Sequence, residues 1–109
     1  MQAAQDAGAG AVGPGRPRDR WTLLSNHGHV LVCVSRDPGM RVRDLAAVTG
    51  LTERAIGGIL RDLEAAGYIT RERVGRRTHY LLHPDRAFRH PAEADHHVGE
   101  LLRIFSADA

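Results

Sequence analysis

The amino-acid sequence predicts a mostly helical α+β domain in which two short helices lead directly into a β-hairpin. Three observations support this prediction. Apolar residues recur at helical spacing over two adjacent segments. A segment with the residue pattern of two β-strands separated by a glycine follows them, and further glycines lie where the predicted elements end. With 109 residues, the chain has room for one domain of this kind.

The first predicted element is a helix from about Thr22 to Arg36, ended by the turn Asp37-Pro38-Gly39. The apolar run 30–34 could also form a strand, but the length of the apolar stripe favours a helix. Cys33 lies inside this run and is the only cysteine. A disulfide framework and a cysteine-based zinc site are therefore excluded within one chain.

Two short amphipathic helices follow. The first runs from Val42 to Val48 and ends at Thr49-Gly50, where glycine permits the left-handed conformation of a helix stop. Thr52 is a suitable N-cap for the second helix, predicted over residues 52–66. Two helices of this size, joined by a short turn with an apolar residue in it, have the geometry of a helix-turn-helix.

A β-hairpin follows the second helix. Residues 68–74 form the outgoing strand, Gly75-Arg76 the turn and residues 77–82 the returning strand. The predicted fold is therefore a winged helix-turn-helix with a two-stranded wing, within a domain of residues 20–90. Residues 1–19 are mostly Ala, Gly, Pro and Gln and are predicted to be a disordered tail.

A C-terminal helix is predicted in the segment 91–109, from Pro91 to about Ser106. Proline suits the first helical position, and one side of this helix is broad and apolar. The first helix can cover only part of that side. We expect the rest to pack against a second copy of the chain in a homodimer. The residues expected at this interface are Val98, Leu101, Leu102, Ile104 and Phe105.

Basic charge is concentrated in the predicted helix-turn-helix and wing. All 15 basic residues are arginine. Residues 41–80 carry eight of them against five acidic residues, whereas residues 81–109 carry three against five. This asymmetry predicts a surface that binds a polyanion. The sequence shows neither a membrane span nor a signal peptide, so we expect a cytoplasmic protein.

Catalytic and cofactor motifs are not recognisable. There is no nucleophile elbow, no Ser/His/Asp or Cys/His constellation and no phosphate-binding loop, so we predict neither an enzyme nor a cofactor. Seven histidines raise the question of a metal site. His90, His96 and His97 would need ligands from another segment or subunit to complete four, and no metal site is predicted.

The stretch RVRDLAAVTGLTERAI, residues 41–56, followed by LRDLEAAGYITRER, residues 60–73, resembles winged-helix bacterial repressors of the MarR and ArsR types. The resemblance is close over the helix-turn-helix and the start of the wing and looser over the flanking helices. It implies a transcriptional regulator, expected to be a repressor, whose partner is double-stranded DNA.

In such regulators the second helix lies in the major groove, and the wing reaches the neighbouring minor groove or its phosphates. The resemblance implies that Arg54 and Arg61 are the best candidates for base edges and that Arg41 and Arg43 meet the phosphate backbone. The full set of residues implied at the DNA interface is Arg41, Arg43, Thr52, Glu53, Arg54, Arg61, Arg73, Arg76 and Arg77.

Two features depart from the pattern. The wing, Val74-Gly75-Arg76-Arg77, lacks the Asp that MarR-type wings often carry two residues before an arginine. Gly57-Gly58 replaces polar side chains in the second helix, so either the backbone approaches DNA or a partner closely there, or base readout is sparse. We expect sparse readout, with wing and backbone contacts dominant. The alternatives are a protein-interaction module and a metal- or ligand-responsive sensor of the same fold.

Overall fold

A computed structural model describes residues 20–106 as four helices and a two-stranded antiparallel sheet. The predicted tail, residues 1–19, lies outside the described residues, as do residues 107–109. The α+β class and the winged helix-turn-helix are confirmed. In chain order the elements are α1 (Asn26–Arg36), α2 (Val42–Thr49), α3 (Glu53–Ala65), β1 (Ile69–Val74), β2 (Arg77–Leu82) and α4 (Val98–Ile104).

Caps on both sides fix the turn between α2 and α3. Gly50 adopts φ 79°, and its N–H donates to the carbonyl of Ala46, which ends α2. Two residues later the hydroxyl of Thr52 accepts a hydrogen bond from the N–H of Ala55 at 3.0 Å and starts α3. The predicted bounds of the helix-turn-helix therefore agree with the structure within the usual error at helix ends.

The wing is an antiparallel hairpin in which Ile69 pairs with Leu82 and Val74 pairs with Arg77. Gly75 has φ 65°, the positive value that the first position of a tight two-residue turn requires. In β1 only Ile69 is buried, and the remaining residues are exposed. The base of the hairpin is therefore part of the domain, while its tip extends into solvent.

The core lies between the helices and the base of the wing. Its side chains come from every element, including Val98 and Leu102 of α4. Tyr68 contributes its ring and donates its hydroxyl to the carbonyl of Ala87 at 2.7 Å. The fully buried large side chains are Val30, Val34, Leu45, Ile56, Leu60 and Ile69. No helix among the described residues is long and apolar enough to cross a membrane.

The first helix begins at Asn26 and not near Thr22. The hydroxyl of Ser25 accepts a hydrogen bond from the N–H of Gly28 at 3.2 Å, so Ser25 is the N-cap. Leu23 is 91% exposed and has no part in the core. Its apolar character extended the predicted stripe, but a serine that can satisfy free N–H groups starts the helix one turn later.

The C-terminal helix is much shorter than predicted, because it begins at Val98 and not at Pro91. The N–H of Phe88 donates to the carbonyl of His96, and the N–H of Val98 donates to that of Arg86, at 3.0 and 2.9 Å. This antiparallel pairing keeps the chain extended at His97, where φ is −100° and ψ 151°. A helix starting at Pro91 is incompatible with that extended pairing.

Candidate nucleic-acid interface

Among residues 20–106, one face of α3 is not packed into the core. Arg54, Gly57, Gly58 and Arg61 follow the spacing that brings residues to the same side of a helix. Both arginines are exposed, as are Thr52 and Glu53 at the start of α3. The opposite side of the helix is buried in the core through Ile56, Ile59, Leu60 and Leu63.

The guanidinium group of Arg61 lies over the glycine pair. A Cβ added to Gly57 would be 3.6 Å from Nη1 of Arg61, and one added to Gly58 would be 3.9 Å from Nη2. Both are ordinary van der Waals distances, and neither glycine has a positive φ. The described part of the chain therefore has room for alanine at both positions.

Replacing both glycines with alanine is expected to stabilise the fold. Glycine in a helix interior costs about 0.5–1 kcal/mol relative to alanine, so the double variant should gain about 1–2 kcal/mol in urea unfolding. A loss of stability would show that the backbone at these positions packs more tightly than the distances indicate. Unchanged DNA affinity would support sparse readout, and reduced affinity would support close approach of the helix backbone.

Three contacts hold the C-terminal half of α3 in place. Asp62 pairs with His27 of α1 at 2.8 Å, and Glu64 pairs with Arg71 of β1 at 3.0 Å. Arg86 donates to the carbonyl of Ala66 at 3.1 Å. Exposed pairs such as these add little stability, but they occupy two carboxylates on the basic part of the molecule. Sequence patterns missed them, because His27 and Asp62 are 35 residues apart.

The wing is fastened to the loop between α1 and α2. The N–H of Tyr80 donates to the carbonyl of Pro38 at 3.0 Å, and Nη2 of Arg77 donates to the carbonyl of Gly39. A cleft separates this loop and the start of α2 from the wing, and we call it the loop–wing cleft. Its lining residues are Gly39, Met40, Arg41, Val42, Arg76, Arg77, Thr78 and Tyr80.

All nine residues predicted at the DNA interface are exposed. Three of them, Arg41, Arg76 and Arg77, meet in the loop–wing cleft, whereas Arg43 and Arg73 are not among its lining residues. The sequence predicted only a turn at residues 37–39. Sequence patterns could not show that this turn forms a wall of the cleft, because the hydrogen bond that joins the turn to Arg77 spans 38 residues.

The family model described as the MarR family matches residues 21–77, more than half of the chain. The chain belongs to the MarR family. It is also similar to a solved structure, MepR, a transcription regulator of the Staphylococcus aureus multidrug efflux pump MepA. That match has 24% identity and a TM-score of 0.48, and it covers 73% of this chain and 56% of MepR.

This MarR-family chain thus spans little more than half the length of MepR. A search of the curated proteins finds no match. The resemblance to winged-helix regulators that residues 41–73 carry is confirmed by the family match.

The apolar surface of α4 in this MarR-family chain is smaller than the sequence predicted. Val98 is 3% and Leu102 9% exposed, because both pack into the core of their own chain. Ile104 is 71% exposed, and Leu101 and Phe105 are half-buried. Only these last three keep surface that a second copy could cover.

A hydrogen-bonded cap stands at the start of α4. Oε1 of Glu100 is 2.6 Å from Nδ1 of His96, and Oε2 accepts the N–H of His97 at 3.0 Å. The hydrogen bond to the Glu100 carboxylate raises the pKa of His96, and the N–H of His97 and the His96 ring lower the pKa of Glu100. Among residues 20–106, no group of three or more potential ligand side chains could hold a metal ion.

The cap should make stability depend on pH. Because the folded-state pKa of His96 is raised, its contribution is present in full below the ordinary value of 6.5 and is lost as the pH rises through the folded value. We expect the difference in Tm between the wild type and His96→Gln to shrink as the pH rises above 6.5. A difference that does not vary with pH would contradict this account.

Proposed function

We propose that this MarR-family chain binds double-stranded DNA as a transcriptional repressor, with α3 in the major groove and the wing on the adjacent minor groove or its phosphates. The observation that carries the proposal is that the predicted interface arginines are exposed and have no carboxylate partner among the described residues. The seven arginines predicted at the interface are exposed, and none forms an ion pair with a carboxylate of residues 20–106. Guanidinium groups that have no carboxylate partner within residues 20–106 are available for phosphates and base edges, although that of Arg77 already donates to the carbonyl of Gly39.

Within the groove, we assign base reading to the face of α3 that carries Arg54 and Arg61. Arg54 and Arg61 can each bind a guanine edge with two hydrogen bonds, and Glu53 can accept one from cytosine. Gly57 and Gly58, over which the Arg61 guanidinium lies, separate the two arginines and carry no side chain of their own. Side-chain readout is therefore restricted to the two ends of this face, and non-specific phosphate contacts supply much of the affinity.

Selection of bound duplexes from a random-sequence pool tests this function. We expect enrichment of a palindrome whose half-sites lie about one helical turn apart, since a symmetric dimer presents two copies of α3. Failure to retain any duplex would contradict DNA binding. Enrichment of a single half-site would retain DNA binding and contradict the dimer.

The homodimer is proposed from the surface of α4. Leu101, Ile104 and Phe105 form the part that residues 20–106 leave at least partly uncovered, and burial against a second copy would remove their apolar area from water. Ile104→Asp should therefore yield a monomer in sedimentation and weaken binding to the palindrome.

Ser106→Asp is the matched control for this variant, because Ser106 is exposed and the substitution adds the same charge two residues away. It should remain dimeric. If Ile104→Asp also sediments as a dimer, the interface lies elsewhere.

A further inference from the structure

The loop–wing cleft is a concave surface with positive charge. Three arginines line it and no carboxylate does. Arg41 and Arg76 are exposed, and neither forms an ion pair within residues 20–106. Clefts lined by charge of one sign concentrate the electrostatic potential, so the preferred occupant is an anion.

Arg77 differs from the other two arginines, because its guanidinium already donates to the carbonyl of Gly39. Together with the hydrogen bond from Tyr80 to Pro38, this contact fastens β2 to the loop at two neighbouring points. The two walls of the cleft are therefore held together before any ligand arrives. Arg77 sets the position of the wall that carries Arg76.

The start of α2 forms the other wall. Arg41 is the N-cap residue of α2, but its side chain makes no capping hydrogen bond. A guanidinium has donors only and could not cap the N–H groups at this helix start, and that of Arg41 forms no ion pair within residues 20–106, so it is available to a ligand. The N–H groups of the first turn are likewise left without a side-chain acceptor at the N-cap, a state that favours a nearby anion.

We propose that the loop–wing cleft binds one phosphate of the DNA backbone, held jointly by Arg41 and Arg76. Arg77 is a positioning residue that fixes the cleft, in place of the groove contact that the family resemblance implies for it. The inference rests on the proposed function. Arg41 and Arg76 neutralise the same phosphate, so they act as a unit although they are far apart in the sequence.

A double-mutant cycle on the full chain tests the shared phosphate. Affinity for a pool of random-sequence duplexes is measured against salt for Arg41→Ala, Arg76→Ala and the double variant. We expect each single variant to bind about tenfold more weakly and the double variant to bind little more weakly than either. The slope of log K against log salt should become less steep by about 0.9, the value for one phosphate, in all three variants.

Arg43→Ala, Arg73→Ala and their double variant form the control cycle, because these exposed arginines do not line the cleft. The double variant of this control cycle should lose affinity by the product of the two factors measured for Arg43→Ala and Arg73→Ala. If the losses of Arg41→Ala and Arg76→Ala also multiply, with a slope change of about 1.8 in the double variant, two phosphates are bound and the proposal is overturned. Arg77→Ala should lower the affinity without changing the slope, and a slope change of about 0.9 for Arg77→Ala would overturn its positioning role.

Inorganic phosphate, titrated by calorimetry, separates DNA from a free anion. If inorganic phosphate binds the wild type and not Arg41→Ala, while the affinity of Arg41→Ala for DNA is unchanged, the cleft takes a free anion and its assignment to DNA is overturned. If the wild type retains no duplex at all, the proposed function fails together with this inference. If the wild type binds DNA and the affinity losses of Arg41→Ala and Arg76→Ala multiply in the double variant, only the shared phosphate is contradicted and the proposed function remains.

Discussion

Replacing Arg76 and Arg77 together with alanine is expected to weaken binding to every duplex by a similar factor. Charge-assisted hydrogen bonds are worth about 1.5–3 kcal/mol, so the affinity should fall by about 2 kcal/mol, or roughly thirtyfold. The salt slope should become less steep by about 0.9 for each phosphate that the variant no longer binds. Titrations of unrelated duplexes over a range of salt concentrations measure both quantities.

The matched control removes two arginines from elsewhere. Arg36 and Arg89 are exposed and lie at the end of α1 and in the loop before α4. Arg36→Ala with Arg89→Ala removes the same formal charge and should leave the slope unchanged. If both double variants change the slope equally, net charge and not the wing determines DNA affinity.

Leu60→Ala is expected to lower stability and Arg61→Ala to lower DNA affinity, although the two residues are neighbours. Leu60 is 1% exposed in the core, and truncating such a leucine costs about 2–5 kcal/mol. A small domain has only about 5–15 kcal/mol of stability in total. Leu60→Ala should therefore lower Tm by at least about 8 °C, and thermal unfolding followed by circular dichroism measures the change.

Arg61 is exposed, so Arg61→Ala should leave Tm almost unchanged and should instead lower the affinity for the selected palindrome. The pair tests the orientation of α3 independently of the overall fold. A large fall in Tm for Arg61→Ala, or none for Leu60→Ala, would show that α3 presents a different face to the core.

The helix-turn-helix and the wing could be predicted because local chemistry specifies them. Gly50 and Gly75 occupy positions with positive φ, and Thr52 caps α3, so the boundaries follow from residues next to them in sequence. The buried stripe of α3 follows from its 3.6-residue period. Each of these features depends on interactions within a few residues.

The start of α4 could not be predicted in the same way. Apolar spacing suggested a helix from Pro91, but residues 91–95 form turns, and backbone pairing of residues 86–88 with residues 96–98 keeps the chain extended at His97. That pairing depends on the path of the chain after β2. Burial of Val98 and Leu102 likewise depends on where the core leaves space. A local pattern contains neither piece of information.

The loop–wing cleft depends on similar long-range contacts. Arg41 and Arg76 are far apart in the sequence, and no local pattern relates them. The hydrogen bonds from Tyr80 and Arg77 to the loop bring their segments together. Sequence patterns therefore identified the arginines, whereas the structure shows which of them share a surface.

We propose that this MarR-family chain binds duplex DNA through its exposed arginines. Titration of the wild type with random-sequence duplex at increasing salt measures both the binding and its dependence on charge. We expect binding at low salt, with log K falling linearly against log salt at a slope of about −0.9 for each phosphate contacted. No retention of duplex at low salt, or an affinity independent of salt, would contradict the claim and favour a protein partner for the same surface.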